Sequence, residues 1–175
     1  MADKAFSQES PAGRTAPVAI ENDGAGATHR GRLLALAEMV QHPSIQALSI
    51  KQPYPHHIFH DGKDVENRNW PTNYRGWFMV HAGVSRSEIV KGDPNEEAMP
   101  RGGIVGMARI TGCVADSDSS WFFGKFGFVL RDAFPLDLIP CRGQLGFFRP
   151  PHQSIEALAE ALRRRAEGLC ERAPA

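Results

Sequence analysis

Six short apolar runs occupy the middle of the chain: Ile45 to Ile50, Trp77 to Ala82, Ile104 to Val114, Phe126 to Leu130, Phe134 to Ile139 and Leu145 to Phe148. Most are rich in β-branched or aromatic residues and bounded by Gly, Pro or Asn, which is the pattern of strands. A further strand begins near Val65, giving six or seven in all. No helix-length pattern alternates with them, so a doubly wound α/β sheet is excluded. The pattern predicts an α+β chain with a curled sheet and helices attached. Gly106 and Gly112 interrupt the longest run and predict bulges or sharp bends, as the corners of a small barrel require.

Helical periodicity is confined to the two ends. From Arg30 to Gln41, the residues Leu33, Leu36, Ala37 and Val40 share one face, and Pro43 ends the segment. Near the C-terminus, Ser154 is positioned to cap a helix with Ile155, Leu158, Leu162, Ala166 and Leu169 on one stripe. Glu160 precedes Arg164 by four residues, a favourable pairing. Residues 1–27 are rich in Ala, Gly, Pro and Ser without period and read as a disordered tail. The organisation is therefore a tail over 1–27, a helical segment over 28–44, a central domain over 45–150, and a helix with its tail over 151–175. The polar stretch between Val84 and Gly103 predicts a short helix and a mobile loop. Protein partners, if any, would meet the terminal segments.

Charge narrows the choice of partner. The chain carries 20 Lys+Arg and 20 Asp+Glu, and the balance holds segment by segment: 4 and 5 over 1–46, 12 and 11 over 47–150, 4 and 4 over 151–175. The Arg163–Arg165 run is thus a solvated helix face. A broad phosphate-coating surface is excluded, so a nucleic-acid ligand must be recognised locally, with a shallow salt dependence. No apolar run reaches the roughly 18 residues of a membrane span, and the opening Met-Ala-Asp-Lys-Ala-Phe-Ser lacks the apolar core of a secretory signal. Cys113, Cys141 and Cys170 are odd in number and widely spaced, which predicts neither a disulfide framework nor a zinc ribbon and fits a reducing cytoplasm.

The chemistry concentrates between Ser49 and Gly83. A strand ends near Lys51, and Pro53 and Pro55 open a short helix reaching about His60. Gly62 is placed to take the left-handed position that ends it. In the strand that follows, alternation puts Glu66, Arg68 and Trp70 on one face and Val65 and Asn67 on the other, with Lys63 at the mouth. Glu66 is suited to accept from the exocyclic amine of a base, and Arg68 offers a planar fork for a phosphate or base edge. Trp70 is a candidate stacking surface. Lys63 is a candidate phosphate ligand, or a base if burial lowers its pKa. The same spacing also suits an internal ion-pair network with Trp70 as wall packing.

The stretch Gly62-Lys63-Asp64-Val65-Glu66-Asn67-Arg68 resembles the G-x(0–1)-K-x-x-E-x-R signature of the ASCH (ASC-1 homology) domain family, within the PUA-like superfamily. The flanks "ALSIKQPYP" and "NWPTNYRGWFMVHAG" resemble the family's first helix and second strand regions, and "PRGGIVGMARITGCV", "FGFVL" and "RGQLGFFRP" resemble later strands. The resemblance spans about Ile45 to Pro150. It implies a small PUA-like β-barrel flanked by helices, with a cleft that receives RNA or a nucleotide. Some small bacterial relatives hydrolyse N4-acetylcytidine with the signature lysine and a threonine three positions later, and another member cleaves RNA. Here that third position is Glu66, so hydrolysis would need Lys63 and Glu66 in an acid–base role, with His81 or Tyr74 as further candidates.

Other residues allow two readings each. His81 at a strand end beside Ala82-Gly83 either faces a cavity or is a core histidine bonded to backbone. Tyr74 and Arg75 lie in a turn, where Arg75 meets phosphate or simply solvent, and Ser85 falls on the rim. His56, His57 and His60 share a helix, but the glutamate of a zinc-binding H-E-x-x-H is missing, so they are expected to line the cleft without a metal. Phe122, Phe123, Phe126 and Phe128 are expected to pack the barrel. No cofactor motif is present. The expectation is an RNA- or nucleotide-binding module. The alternatives are a small hydrolase acting on RNA or an acylated nucleoside, and a protein-interaction module.

Overall fold

The computed structural model describes residues 28–86 and 99–168. Three helices, α1 (His29–Met39), α2 (Tyr54–His60) and α3 (His152–Gly168), accompany six strands: β1 (Ala47–Gln52), β2 (Val65–Arg68), β3 (Gly76–Arg86), β4 (Gly103–Val114), β5 (Phe126–Pro140) and β6 (Phe147–Phe148). The strands form one mixed sheet in the order β2-β5-β4-β3-β1-β6, in which β1 runs parallel to β3 and all other pairs are antiparallel. The sheet curls into a half-barrel. Rings from the strand next to one edge and from the opposite edge meet across the interior, Phe128 of β5 stacking on Phe147 of β6 at 6.1 Å.

Strand alternation divides the apolar residues between two cores. Leu48, Ile50, Phe78, Val80, Phe128 and Leu130 fill the inside of the curl, with Ile58 of α2 across its opening. Ala47, Met79, Ile104 and Met107 face the other way, onto Leu33, Leu36, Ala37 and Val40 of α1 and Leu158, Ala159, Leu162 and Ala166 of α3. The helical stripes read from sequence are therefore the faces that cover the sheet. Burial of one such leucine is worth about 1.5–3 kcal/mol.

The bulges expected at the glycines are present. Val80 pairs with Gly106 and His81 with Ile104, which leaves Val105 as an extra residue in β4. The bulge resets the alternation, so Val105 faces inward and Met107 outward. Gly106 is required there: a Cβ would lie 2.4 Å from both the Phe59 ring and the Phe134 carbonyl. The β4–β5 register slips again between Ile110 and Gly112.

Two expectations need correction. Phe126–Leu130 and Phe134–Ile139 are one continuous strand, because the polar Arg131-Asp132 interruption is absorbed as an irregularity with Asp132 at φ 56°. Ser154 does not cap α3. The helix starts two residues earlier, and the Pro151 carbonyl accepts from Ser154 N and Ile155 N, while the Ser154 hydroxyl donates to the Pro140 carbonyl. Ser154 lies within the first turn, where the backbone N–H groups of Ser154 and Ile155 are already taken by the Pro151 carbonyl, so its hydroxyl is free to turn to the sheet. The 1–27 tail, Leu169 and most of the helix and loop expected between Val84 and Gly103 lie outside the described residues. No helix among the described residues is long and apolar enough to cross a membrane.

On its other side, β5 pairs with β2 over Phe126–Val129 only. Beyond Leu130 that side faces α3 across a groove of about 900 Å³ lined by Leu136, Leu138, Ala157, Ala161 and Arg164. The groove contains none of the signature residues.

Candidate functional site

The Gly62–Arg68 segment turns the chain out of α2 and into β2. Gly62 adopts φ 69°, ending the helix as its position requires. Lys63 N then donates to the His57 carbonyl, which closes the turn. The two faces of β2 have separate tasks. Glu66 and Arg68 point into the half-barrel, and their ion pair measures 3.1 Å from Arg68 Nη2 to a Glu66 carboxylate oxygen. Arg68 Nη2 also donates to the Ser49 carbonyl of β1 at 2.7 Å, so the guanidinium bridges the opening between one edge of the sheet and the strand beside its other edge.

This pair is incompletely satisfied. Glu66 is 5% exposed, and burial raises its pKa above the usual carboxylate range, although Arg68 and Lys63 oppose the shift. Arg68 Nε is buried without a hydrogen-bond partner among the described residues. Leaving such a donor unmade costs about 1–3 kcal/mol.

Lys63 is 3% exposed. Its ammonium donates to the Val65 carbonyl and lies 5.3 Å from the Tyr54 ring, 5.5 Å from Trp121 and 6.0 Å from Phe123. Burial lowers its pKa, against the attraction of Glu66 and Asp64. The rings come from α2 and from the segment between β4 and β5. That segment is pinned by the outward face of β2: Asn67 Nδ2 donates to the Trp121 carbonyl and Asn67 Oδ1 accepts from Phe123 N, each at 2.8 Å, and the Ser119 hydroxyl donates to Asp64. Gly127 lets Phe122 and Val65 pack over it, since a Cβ there would lie 2.5 Å from Val65 Cγ1.

The structure thus brings Lys63, Glu66 and Arg68 together and disperses the other candidates. Trp70 lies edge-on to Phe128 and Phe147, at 5.1 and 5.8 Å, as part of the inner wall. Tyr74 stacks on Phe147, donates to the Trp77 carbonyl at 2.6 Å, and has its pKa pushed up to about 12 by burial. Arg75 is exposed and donates to the carbonyls of Thr72 and Tyr74, its own turn. Ser85 is exposed near the end of β3.

His81 occupies the outward face of β3, away from Glu66 and Arg68. It is 1% exposed, its Nδ1 is 3.1 Å from the Ser49 hydroxyl, and its Nε2 is 3.1 Å from the Cys141 carbonyl. The carbonyl only accepts, so Nε2 carries the proton and Nδ1 accepts from Ser49. Gly143 packs directly over both side chains: a Cβ there would lie 2.5 Å from His81 Cε1. This is the core-histidine reading, not the cavity-facing one.

On α2, His57 Nδ1 is 2.6 Å from Asp61 and its ring lies 5.1 Å from Trp121. That hydrogen bond lowers the Asp61 pKa. His56 and His60 pair with each other at 4.6 Å. Among the described residues no group of three His, Cys, Asp or Glu side chains is arranged to hold a metal ion. Sequence reasoning missed Tyr54 and Trp121, and it assigned Phe123 to barrel packing although the residue is 55% exposed. Phe123 lies 60 residues from Lys63, and no local pattern announces the contact.

No family model matches the chain, and no curated protein is similar to it. The site must therefore be judged on its chemistry. A buried carboxyl with a raised pKa is able to donate or accept. The neighbouring guanidinium has an unmatched N–H, and a partly desolvated amine stands close by. Such a set is fitted to the mixed donor–acceptor edge of a planar polar ligand.

Proposed function

We propose that this chain is a PUA-like domain of the ASCH type that binds an unpaired base or nucleotide of RNA in the cleft of Lys63, Glu66 and Arg68. The observation that carries this reading is the buried Arg68 Nε without a partner beside a buried carboxyl. Arg109 also has an unmatched Nε, but its partner Asp132 is partly exposed; what sets the Arg68 pair apart is that its unmatched donor lies beside a carboxylate buried from water. The charge balance agrees, because a few groups in one cleft suit a single base better than a duplex. A cytoplasmic setting accords with the free thiols of Cys113 and Cys141.

The test is titration of short single-stranded RNAs and of nucleoside monophosphates against wild type, Arg68→Ala and Arg68→Lys, with thermal melts to confirm folding. Loss of a base-edge contact is expected to weaken binding by about 1–3 kcal/mol. Arg68→Lys keeps the charge but not the fork, and should behave similarly. Equal affinities in folded variants would remove Arg68 from the site.

A second reading, hydrolysis of RNA or an acylated nucleoside, is favoured by one observation. Burial moves the pKa of Lys63 down and that of Glu66 up, the pattern of an acid–base pair. Incubation with N4-acetylcytidine and with RNA should then give product that Lys63→Met abolishes. No turnover on either substrate would leave binding as the activity.

A further inference from the structure

The rings around Lys63 form a surface as well as a lining. Phe123, Tyr54, His57 and Trp121 follow one another with centroids 6.5, 6.4 and 5.1 Å apart. Phe123 ends the row, with more than half of its surface exposed. Its placement is specified, because its backbone N–H is held by Asn67 and the neighbouring Trp121 carbonyl by the same side chain. The Lys63 ammonium sits behind three of these rings, which puts a positive charge under an aromatic surface in a poorly solvated position. Lys125, exposed two residues beyond Phe123, adds a donor suited to phosphate.

We propose that Phe123, backed by Tyr54, His57 and Trp121, is a stacking platform for a second unpaired base of single-stranded RNA, in addition to the base held by Glu66 and Arg68. The inference rests on the function proposed above and extends it from one base to two. An aromatic face binds any base, so this subsite supplies affinity, while the polar pair inside the barrel supplies selection. It also replaces Trp70, whose ring is committed to the interior.

The experiment uses the full chain with labelled oligoadenine and oligouridine single strands and with the four nucleoside 5′-monophosphates, comparing wild type with Phe123→Ala, Phe123→Tyr and Arg68→Lys. Base–aromatic stacking judged by alanine substitution predicts that Phe123→Ala weakens the oligonucleotides about tenfold or more. Phe123→Tyr should restore them and monophosphate affinity should not change. Oligonucleotide affinity that is unchanged in Phe123→Ala but reduced in Arg68→Lys would overturn the platform and leave the proposed function standing. Equal weakening of monophosphates and oligonucleotides by Phe123→Ala would overturn the two-base arrangement. A loss with Phe123→Ala but not with Arg68→Lys would uphold the platform and remove the cleft. Wild type that binds neither kind of ligand would overturn both.

Discussion

Two buried polar clusters are joined through Ser49, and they are built on opposite principles. On the outward face of the sheet, His81 has both ring nitrogens engaged, one by the Ser49 hydroxyl and one by the Cys141 carbonyl, under a glycine that leaves no space. On the inward face, Glu66 and Arg68 share a single ion pair, and one guanidinium N–H goes unmatched. Both sites bury a titratable side chain. Only the second withholds part of its hydrogen-bonding capacity. Burial of a polar residue is therefore a poor guide to function until its partners have been counted.

The comparison breaks most sharply at Glu66. Glu66→Ala leaves the Arg68 guanidinium without its counter-charge and should cost about 3–5 kcal/mol, read as a lowered midpoint in denaturant unfolding. Joint replacement by apolar residues, Glu66→Leu with Arg68→Met, should recover most of that stability while RNA binding stays lost. Recovery of binding along with stability would make the pair structural, like His81.

His81→Ala tests the other side. It removes the partner of Ser49 and of the Cys141 carbonyl and leaves a cavity, for an expected loss of about 2–4 kcal/mol. RNA affinity of the folded fraction should be unchanged. A lower affinity at full folding would return His81 to the site.

Smaller effects sharpen the distinction. Tyr74→Phe forfeits the hydrogen bond to the Trp77 carbonyl and should cost about 1 kcal/mol in thermal melts without touching binding. The pH dependence of stability should also carry the mark of His81. Burial holds its folded pKa below the unfolded value of 6.5, so the unfolded chain takes up the proton more readily. Stability contributed by the neutral ring is then present above pH 6.5 and lost as pH falls below it. His81→Gln should flatten that acid limb, and an unchanged limb would show that burial does not set the response.

Much of this was legible in the sequence for physical reasons. Strand alternation has a period of two, so the shared face of Glu66 and Arg68 followed from their spacing. The stripes of α1 and α3 followed from the helical period in the same way. Other features depend on contacts distant in sequence. Asn67 was correctly turned outward, yet its partners Trp121 and Phe123 are more than 50 residues away and lie in a segment without period. The single strand β5 was missed because Arg131-Asp132 looks like a turn, whereas pairing with β4 carries the backbone through it. The sequence left both readings of His81 open because the chain segment that covers it begins 60 residues later.

The long strand β5 has one more consequence. Past Leu130 its outer side is joined by no other strand among the described residues, and an open strand edge is a template for recruiting further copies of a chain. This one is blunted. Pro135 and Pro140 remove two backbone donors from the strand. The carbonyls of the two prolines accept from Arg165 and Ser154 of α3. Through these contacts α3 occupies part of the open edge as well as covering the core. Shortening α3 before Arg165 should reveal itself first as aggregation.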